Sequence, residues 1–404
     1  MAVGQCNFPN MLNVAGIALG TACAGIKQTI KDDILVIQMA KHSTCAAVFT
    51  QNAFCAAPVH VAKANLAYAP RWLLINSGNA NAGTGDQGIH DALNSCEGLA
   101  KVTGGLANEV LPFSTGVIGQ PLPVDKIIEA LPKAIKNLSL DNWDKAAQAI
   151  MTTDTFPKAV SKVIKIAGKS ITINGISKGA GMIQPNMATM LGFIATDAII
   201  NQVLLQNCLA IAVEQSFNRI TVDGDTSTND ACVLMASGCS DAPEITADSE
   251  NYAIFSDAIM SVCKDLAEAI VRDGEGATKL MRIVVKEALH DEEAVRVGKT
   301  IAHSPLVKTA FFASDPNWGR ILAAVGRSGI ENMVLDNVQI FLDDVCIVKN
   351  GGRADDYTEE AGQQVMNKEE ITITVKLGRG EAIQEVLTCD LSYEYVKINA
   401  EYRT

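Results

Sequence analysis

The sequence predicts an α/β (α+β) fold, a layered sandwich of mixed sheets covered by helices. Two observations predict it. Short runs rich in Val, Ile and Thr recur along the 404 residues, and segments with apolar residues at three-to-four spacing lie between them. No internal repeat and no low-complexity linker divides the chain, so we expect one interlocked body of packed layers rather than separate modules.

The predicted strands are short runs dominated by β-branched and other apolar residues. They are Asp33–Met39, Arg71–Ser77, Ser170–Asn174, Arg282–Glu287 and Ile371–Leu377. The apolar run Met11–Ile26 is interpreted as a further strand and turn, because no Lys or Arg precedes it and because Gly and polar residues interrupt it. This run is also too short to span a bilayer, and nothing in it requires export.

Three segments between these runs carry helical patterns. Val124–Leu138 begins directly after Pro123, and proline is favoured at the start of a helix. Gln202–Phe217 and Tyr252–Arg272 are longer and repeat apolar residues every three to four positions. We expect these helices to cover the faces of the sheets.

Four loops of Gly, Asn, Thr, Ser and Asp follow strand-like runs. They are Asn76–Gly85, Ser114–Gly119, Lys178–Thr189 and Asp223–Asp230. Turn chemistry explains one or two such loops. Four of them at strand ends are more typical of the walls of a functional site.

Composition and charge exclude several classes of protein. The formal net charge of −12 disfavours binding to nucleic acid or to anionic membranes, since such a surface repels phosphate groups. The eleven cysteines form no Cys-x-x-Cys pair, so we interpret them as buried thiols in a reducing compartment and expect a cytoplasmic protein. The five histidines lack metal-ligand spacing, and no metal site is expected.

The most unusual segment is Lys178–Ile194, which joins a glycine loop to an apolar strand with Thr189 at the junction. On its own this pattern allows two interpretations. It is either a tight turn that leads into a buried strand with Thr189 as a β-former, or a turn that presents Thr189 as a nucleophile. No Gly-x-x-x-x-Gly-Lys-Ser/Thr loop and no evident Cys/His pair offers another kind of catalytic centre.

Five further segments resemble a known family, in the same order along the chain. They are Ser114–Gly119 (STGVIG), Met151–Lys158 (MTTDTFPK), Asn218–Asp225 (NRITVDGD), Ser314–Arg320 (SDPNWGR) and the end Asn399–Thr404. Together with Lys178–Ile194, which resembles a self-cleavage region, they are similar to the ornithine acetyltransferases, monofunctional or bifunctional, also called glutamate N-acetyltransferases, of arginine biosynthesis. The resemblance covers essentially the whole chain, and it implies two sheets packed between helices.

The resemblance implies that the protein cuts its own Ala188–Thr189 bond. Residues 1–188 would form an alpha chain and residues 189–404 a beta chain, interlocked in one N-terminal-nucleophile-like body. Chemistry supports such a cut. A threonine hydroxyl is a weak nucleophile, but the α-amino group that cleavage frees has a pKa of about 7.7–8.0 and can act as its general base. Gly179 and Gly181 permit the strained turn that the cut requires.

The resemblance also assigns the other site residues. Thr115 and Gly116 form the oxyanion hole, a hydroxyl and a backbone N–H that stabilise the charge of acyl transfer; Ser114–Gly119 alone would pass for a strand-end turn. Lys178 is a candidate partner for the substrate carboxylate, and Glu275 for an ammonium, although Glu275 alone would pass for a solvated charge beyond a helix end. The full set of implied substrate contacts is Thr152, Lys178, Thr189, Glu275, Asn399 and Thr404.

The implied reaction is ping-pong acetyl transfer from N-acetyl-L-ornithine to L-glutamate through an acetyl-threonine intermediate. It requires no cofactor, and the resemblance leaves open acetyl-CoA as a second acetyl donor. The implied assembly is a heterotetramer of two alpha and two beta chains. Two alternatives remain: an N-terminal-nucleophile aminopeptidase or amidase that passes the acyl group to water, and a non-enzymatic protein that binds an amino acid between its glycine loops.

Overall fold

The computed structural model describes residues 2–4, 7–27, 30–184, 190–247 and 249–402. Three sheets contain the strands of this part of the chain. The strands are β1 (Ile17–Ala22), β2 (Ile34–Met39), β3 (Thr44–Phe49), β4 (Trp72–Asn79), β5 (Val110–Val117), β6 (Lys158–Ile166), β7 (Lys169–Lys178), β8 (Leu191–Thr196), β9 (Ala231–Ala236), β10 (Leu280–Ala288), β11 (Gln339–Leu342), β12 (Val345–Lys349), β13 (Gly352–Arg353), β14 (Glu370–Lys376) and β15 (Ala382–Cys389).

Helices lie between and over these strands. They are α1 (Ala57–Asn65), α2 (Gly85–Thr103), α3 (Val124–Lys136), α4 (Trp143–Ala149), α5 (Gln202–Glu214), α6 (Glu250–Arg272), α7 (Asp291–Ala302), α8 (Pro305–Phe312), α9 (Trp318–Gly326), α10 (Glu359–Met366) and α11 (Tyr393–Ala400). Within the described residues, none of them has both the length and the apolar character needed to cross a membrane.

All three sheets are mixed, as predicted. The first has the order β1-β2-β4-β5, with β4 and β5 parallel. The second has the order β3-β9-β8-β7-β6, with β8 and β9 parallel. The third has the order β13-β12-β11-β14-β10-β15, with β10 and β14 parallel. The remaining neighbours within each sheet are antiparallel.

The first two sheets pack face to face. Strand residues alternate between faces, so one set of apolar side chains from each sheet meets in a shared core. The rings of Phe113 on β5 and Phe193 on β8 meet edge to face across it, with centroids 5.3 Å apart. Helices α2 and α3 cover the outer face of the first sheet, and α5 and α6 cover that of the second. This arrangement confirms the predicted layered sandwich.

The third sheet goes beyond the expected pair of sheets. Apolar residues of β10, β11, β12, β14 and β15 pack against α7, α8 and α9 in a separate core. It joins the sandwich through α6, which leads directly into the loop before β10. The chain order of these segments does not reveal this third layer, because their strand and helix patterns resemble those of the first two sheets.

The predicted elements are present, with two differences. The helix predicted over Gln202–Phe217 ends as α5 at Glu214, because Ser216 leaves the helical conformation (φ −134°, ψ −84°) and Phe217 enters a short 3-10 segment. Phe217 is fully buried there. The loop Asp223–Asp230 follows this 3-10 segment rather than a strand, and it leads into β9.

Strands from both sides of the Ala188–Thr189 bond share the second sheet. Strand β8 pairs with β7, in a register that opposes Leu191 to Lys178. Strand β9 pairs with β3, in a register that opposes Ala231 to Phe49. The two segments therefore contribute adjacent strands to one hydrogen-bonded sheet.

The described cysteines are free thiols, and several of them are buried. The interpretation of every cysteine as buried is wrong, because Cys239 is exposed and Cys23, Cys55 and Cys346 are half-buried. In the part of the chain that the structure describes, no group of three or more His, Cys, Asp or Glu side chains is arranged to hold a metal ion.

Candidate active site

A cavity of about 270 Å³ lies where the four polar loops meet. Each loop contributes to its wall, together with the segments that carry Thr152, Glu275 and Asn399. The lining residues are Ala80, Thr115, Gly116, Ile118, Thr152, Thr153, Lys178, Gly181, Met182, Ser227, Thr228, Asn229, Glu275, Asn399 and Tyr402. The four predicted loops therefore line one cavity; its role as a functional site stays a prediction.

Six of the predicted site residues line this cavity: Thr115, Gly116, Thr152, Lys178, Glu275 and Asn399. The structure brings them together from positions up to 284 residues apart in the chain (399 − 115). Ala188, Thr189 and Thr404 lie outside the described residues. The role of each residue in the reaction stays a prediction.

The end of β5 requires glycine at position 116. Gly116 has φ +135°, a conformation that other residues rarely adopt. It pairs with Gly78 of the parallel strand β4, and a Cβ at Gly116 would lie 2.3 Å from the Gly78 carbonyl carbon. The strand ends therefore approach too closely for a side chain at position 116, so Gly116 presents only its backbone to the cavity. Thr115 beside it is buried.

Lys178 ends β7, and its side chain crosses to the first sheet. Its Nζ donates a hydrogen bond to Thr115 Oγ1 at 3.1 Å. Burial lowers the pKa of Lys178 from its ordinary value, and the carboxylates of Asp154, Asp230 and Glu275 oppose that effect. The cavity thus holds a half-buried lysine with acidic groups near it.

Glu275 follows α6 and is buried, with 7% of its surface exposed. Asn399 Nδ2 donates to Glu275 Oε2 at 2.7 Å, and the Glu275 N–H donates to the Ala180 carbonyl at 2.8 Å. A Cβ on Gly181 would lie 2.4 Å from this carboxylate, so the glycine allows the loop to pack on it. The alternative interpretation of Glu275 as a solvated charge is therefore wrong.

A buried ionic cluster that sequence analysis did not assign lies behind the cavity. Lys158 Nζ donates to Asp154 and to Asp273, each at 2.6 Å, and none of the three side chains is more than 1% exposed. Burial alone would raise the pKa of Asp154, but Lys158 and Lys178 outweigh it and hold that pKa well below its ordinary range. The signal in the sequence is a lysine four residues after an aspartate within Met151–Lys158.

This cluster fixes the loops that carry predicted site residues. Asp154 accepts hydrogen bonds from the N–H groups of Thr152 at 2.9 Å and Gly179 at 2.7 Å. Asp273 accepts from the N–H and the hydroxyl of Thr155 and lies two residues before Glu275. One buried lysine therefore links the segments on which Thr152, Lys178 and Glu275 lie.

Asp223 holds the other side of the glycine loop. Its carboxylate accepts from the N–H groups of Met182 at 2.6 Å and Ile183 at 2.9 Å. The Val222 N–H and the Thr221 hydroxyl donate to the Ile183 carbonyl at 2.7 and 3.0 Å. Through these hydrogen bonds, the segment Asn218–Asp225 fixes the chain just before the predicted cleavage bond. The sequence pattern did not reveal this role.

Two glycine patterns in the sequence resemble motifs of other enzymes, and the structure argues against both. Gly175–Gly179 matches Gly-x-Ser-x-Gly, but Ser177 lies inside β7 with no exposed surface, not on a strand-to-helix elbow. Gly83–Gly88 matches Gly-x-Gly-x-x-Gly at the start of α2. There Asn81 bonds Thr84 and the Gly88 carbonyl, and Asp86 in the first turn repels a phosphate.

A larger groove of about 540 Å³ lies between α6, β10 and β15. It contains none of the predicted site residues. Several of its charged groups already have partners; Arg282, for example, bonds Glu268 at 2.9 Å and Glu385 at 2.6 Å. We place the candidate active site in the smaller cavity, because the convergent polar groups lie there.

The layered α/β fold and a polar cavity at its strand ends define the class of protein as an enzyme that acts on a small molecule. The chain belongs to the ArgJ family, whose model matches residues 18–404. This family makes it an acyltransferase of arginine biosynthesis.

Relatives with high identity span the whole chain. The arginine biosynthesis bifunctional protein ArgJ of Methylococcus capsulatus is 63% identical over 391 residues, which cover 97% of this chain and 96% of the relative. The protein of the same name from Pseudomonas fluorescens is 55% identical over 405 residues and covers 100% of both chains.

Solved structures of this family are also similar to the chain. ArgJ from Bacillus halodurans is 42% identical, covers 51% of this chain and 96% of its own, and has a TM-score of 0.49. The ornithine acetyltransferase of Mycobacterium tuberculosis, solved in complex with ornithine, is 34% identical, covers 43% of this chain and 94% of its own, and has a TM-score of 0.38.

Proposed function

We propose that this protein transfers the acetyl group of N-acetyl-L-ornithine to L-glutamate, with Thr189 as the nucleophile. The observation that carries the proposal is the cavity in which Thr115, Gly116, Thr152, Lys178, Glu275 and Asn399 converge. A hydroxyl, a backbone N–H, a half-buried cation and a buried carboxylate are the groups that acyl transfer between two amino acids requires.

The nucleophile arises by self-cleavage of the Ala188–Thr189 bond into chains of residues 1–188 and 189–404. The two chains stay together, because β8 and β9 of the second chain pair with β7 and β3 of the first. Asp223 accepts hydrogen bonds from the N–H groups of Met182 and Ile183, and Thr221 donates one to the Ile183 carbonyl. These bonds support this step, since they fix the chain just before the bond that breaks.

In the first half-reaction, Thr189 Oγ attacks the acetyl carbonyl of N-acetylornithine and gives its proton to the Thr189 α-amino group. The Thr115 hydroxyl and the Gly116 N–H donate to the oxyanion that develops. The amide C–N bond then breaks, ornithine leaves with that proton, and acetyl-Thr189 remains. In the second, the glutamate amine attacks the ester carbonyl and gives up one of its own protons, through the Thr189 α-amino group, to Thr189 Oγ as the ester C–O bond breaks and acetylglutamate leaves.

The two substrates share an α-amino-acid frame and end in opposite charges. Lys178 is our candidate for the shared α-carboxylate, because it is the lysine that lines the described wall of the cavity. Glu275 is our candidate for the ornithine ammonium, since its carboxylate is buried and fixed by Asn399. Thr152, Asn399 and Thr404 complete the proposed contacts.

The exchange itself needs no cofactor, because each half-reaction only moves an acetyl group between an oxygen and a nitrogen. Acetyl-CoA remains a candidate donor for a second, glutamate-acetylating activity. A heterotetramer of two alpha and two beta chains and a cytoplasmic location complete the proposal.

Acetyl transfer is separated from hydrolysis by incubating the purified protein with N-acetylornithine in the presence and absence of glutamate. We expect ornithine to form at a sustained rate only with glutamate, together with an equal amount of acetylglutamate. Ornithine released at the same rate without glutamate, accompanied by free acetate, would favour the amidase instead. Binding without any turnover would favour the non-enzymatic protein.

We expect Glu275→Gln to weaken the reaction of N-acetylornithine more than that of glutamate. The change removes a carboxylate that attracts the ornithine ammonium and repels the glutamate side chain. Breaking one side of a partly buried charge pair costs on the order of 2 kcal/mol, about thirtyfold in kcat/KM for the donor. The measurement is kcat/KM for donor and acceptor separately under ping-pong conditions.

A matched control for this change is Glu394→Gln. It removes one negative charge from α11, where Glu394 is exposed and lies outside the cavity wall. Its two specificity constants should match those of the unmodified protein. Equal losses for both substrates in Glu275→Gln would mean that Glu275 only supports the loop, and charge discrimination would be rejected.

A further inference from the structure

The hydrogen bond between Lys178 and Thr115 restricts the direction in which the Thr115 hydroxyl can point. A hydroxyl has one hydrogen to donate and two lone pairs, whereas an ammonium only donates. At 3.1 Å, Lys178 Nζ must therefore be the donor and Thr115 Oγ1 the acceptor. One lone pair is occupied, and the hydroxyl hydrogen is left for another partner.

We propose that Lys178 is a positioning residue of the oxyanion hole. It holds the Thr115 hydroxyl so that its hydrogen is donated to the acyl oxygen, and its charge strengthens that donor. This inference rests on the proposed function, in which Thr115 contacts the oxyanion, and it gives Lys178 a role beyond binding the substrate carboxylate. A donor fixed before the reaction stabilises the transition state without reorganisation during it.

The bond joins the two facing sheets at the cavity. Thr115 lies on β5 of the first sheet, and Lys178 is the last residue of β7 in the second. Contacts of the neighbouring residue hold the backbone at both positions. Gly116 packs against Gly78 on one side, and Asp154 accepts from the Gly179 N–H on the other. The alignment of the hydroxyl is therefore set by the packing of the sandwich.

Three nearby carboxylates, Asp154, Asp230 and Glu275, favour the donor-only form of Lys178. They oppose burial, which lowers its pKa overall, and Lys158, which acts in the same direction as burial. Asp154 carries a negative charge, since its own pKa is held well below the ordinary value by Lys158 and Lys178. A charged ammonium has no lone pair and cannot accept a hydrogen bond from the Thr115 hydroxyl. The hydroxyl hydrogen is therefore left to point toward the substrate.

A double-mutant cycle with Thr115→Val and Lys178→Met tests the proposal. We expect Thr115→Val to lower kcat about 10²–10³-fold, as loss of one oxyanion donor does. Lys178→Met alone should lower kcat about tenfold or more. In the double variant, Lys178→Met should add little to the loss from Thr115→Val, because the group through which it acts is absent. Losses that multiply would overturn the proposal.

The second measurement uses N-acetylputrescine, which has the acetamide and the ammonium of N-acetylornithine but no carboxylate. The kcat loss in Lys178→Met should persist with this donor, and Lys178→Arg, which also only donates, should recover part of it. A loss that disappears with N-acetylputrescine would show that Lys178 serves the carboxylate alone. If slow self-cleavage limits turnover in a variant, the cleavage rate replaces kcat in the same cycle.

Lys27→Met is the matched control in this cycle. Lys27 is another half-buried lysine whose charge acts on Lys178, but its Nζ donates to the Ala149 carbonyl at 3.1 Å and not to Thr115. The fold-losses in kcat from Lys27→Met and from Thr115→Val should multiply in the double variant. Acetyl transfer by the unmodified protein tests the proposed function separately, whereas the cycle tests only how Lys178 acts.

Discussion

Thr189→Ala should leave a single uncut chain and abolish acetyl transfer. The change removes the hydroxyl that, in the proposed mechanism, attacks the Ala188 carbonyl during cleavage and the acetyl carbonyl during turnover. Without cleavage, the α-amino base at position 189 is also missing. Removal of a catalytic nucleophile lowers kcat on the order of 10⁴-fold or more. Intact-mass measurement and an ornithine-release assay give both results from one preparation.

Thr189→Ser and Thr196→Ala are the controls. Serine keeps a hydroxyl and should still cleave, at a changed rate. Thr196 lies on β8, the strand that follows Thr189 in the sequence, and is fully buried. Its replacement should leave cleavage intact. A Thr189→Ala protein that still splits between residues 188 and 189 would remove Thr189 from the cleavage step.

Lys158→Met should lower the free energy of unfolding by about 3–5 kcal/mol, the usual cost of removing one partner from a buried ion pair. Methionine fills much of the same space but leaves Asp154 and Asp273 buried and without their shared cation. Urea denaturation measures the loss. It is best carried out in the Thr189→Ala background, because unfolding of one uncut chain does not depend on the association of fragments.

Lys162→Met provides a closely matched control. Lys162 lies on the same strand, β6, and pairs with Asp265 at the same 2.6 Å, but the two side chains are 31% and 51% exposed. An exposed pair contributes about 0–1 kcal/mol, so this change should cost far less. Similar losses for the two variants would contradict the assignment of Lys158 as the central cation of the site loops.

The hydrogen bonds of the Lys158 cluster also reach the segments that line the cavity. Asp154 fixes Thr152 and Gly179, and Asp273 lies two residues before Glu275. We therefore relate this buried cluster to the geometry of the cavity as well as to stability. The sequence signal for it was present in Met151–Lys158, but one of its two carboxylates is 115 residues away.

Much of this protein follows from local sequence. The runs at Asp33–Met39 and Arg71–Ser77 became β2 and β4, and Tyr252–Arg272 became most of α6, because the spacing of apolar residues fixes both the type of element and its buried face. The four polar loops were identified as the walls of a site for a similar reason. Short segments of small polar residues between apolar runs do not pack into the apolar core. They therefore lie at the ends of the core elements, where a site can form.

The segments with the most distinctive sequences also marked the family and six residues of the cavity. The chemistry that we propose for Thr189 follows from the residue itself, since a hydroxyl and an N-terminal amine on one residue would form a nucleophile and its base.

Only the tertiary structure decided which groups meet. It buried Glu275 under Gly181 and Asn399, and it brought Lys178 of the second sheet to Thr115 of the first. It also added the third sheet and joined Lys158 to Asp273. The spacing of apolar residues predicts that one face of a helix or strand is buried, but it does not predict which other element covers that face. Charge pairing and burial depend on that partner, so they are fixed only when distant segments pack together.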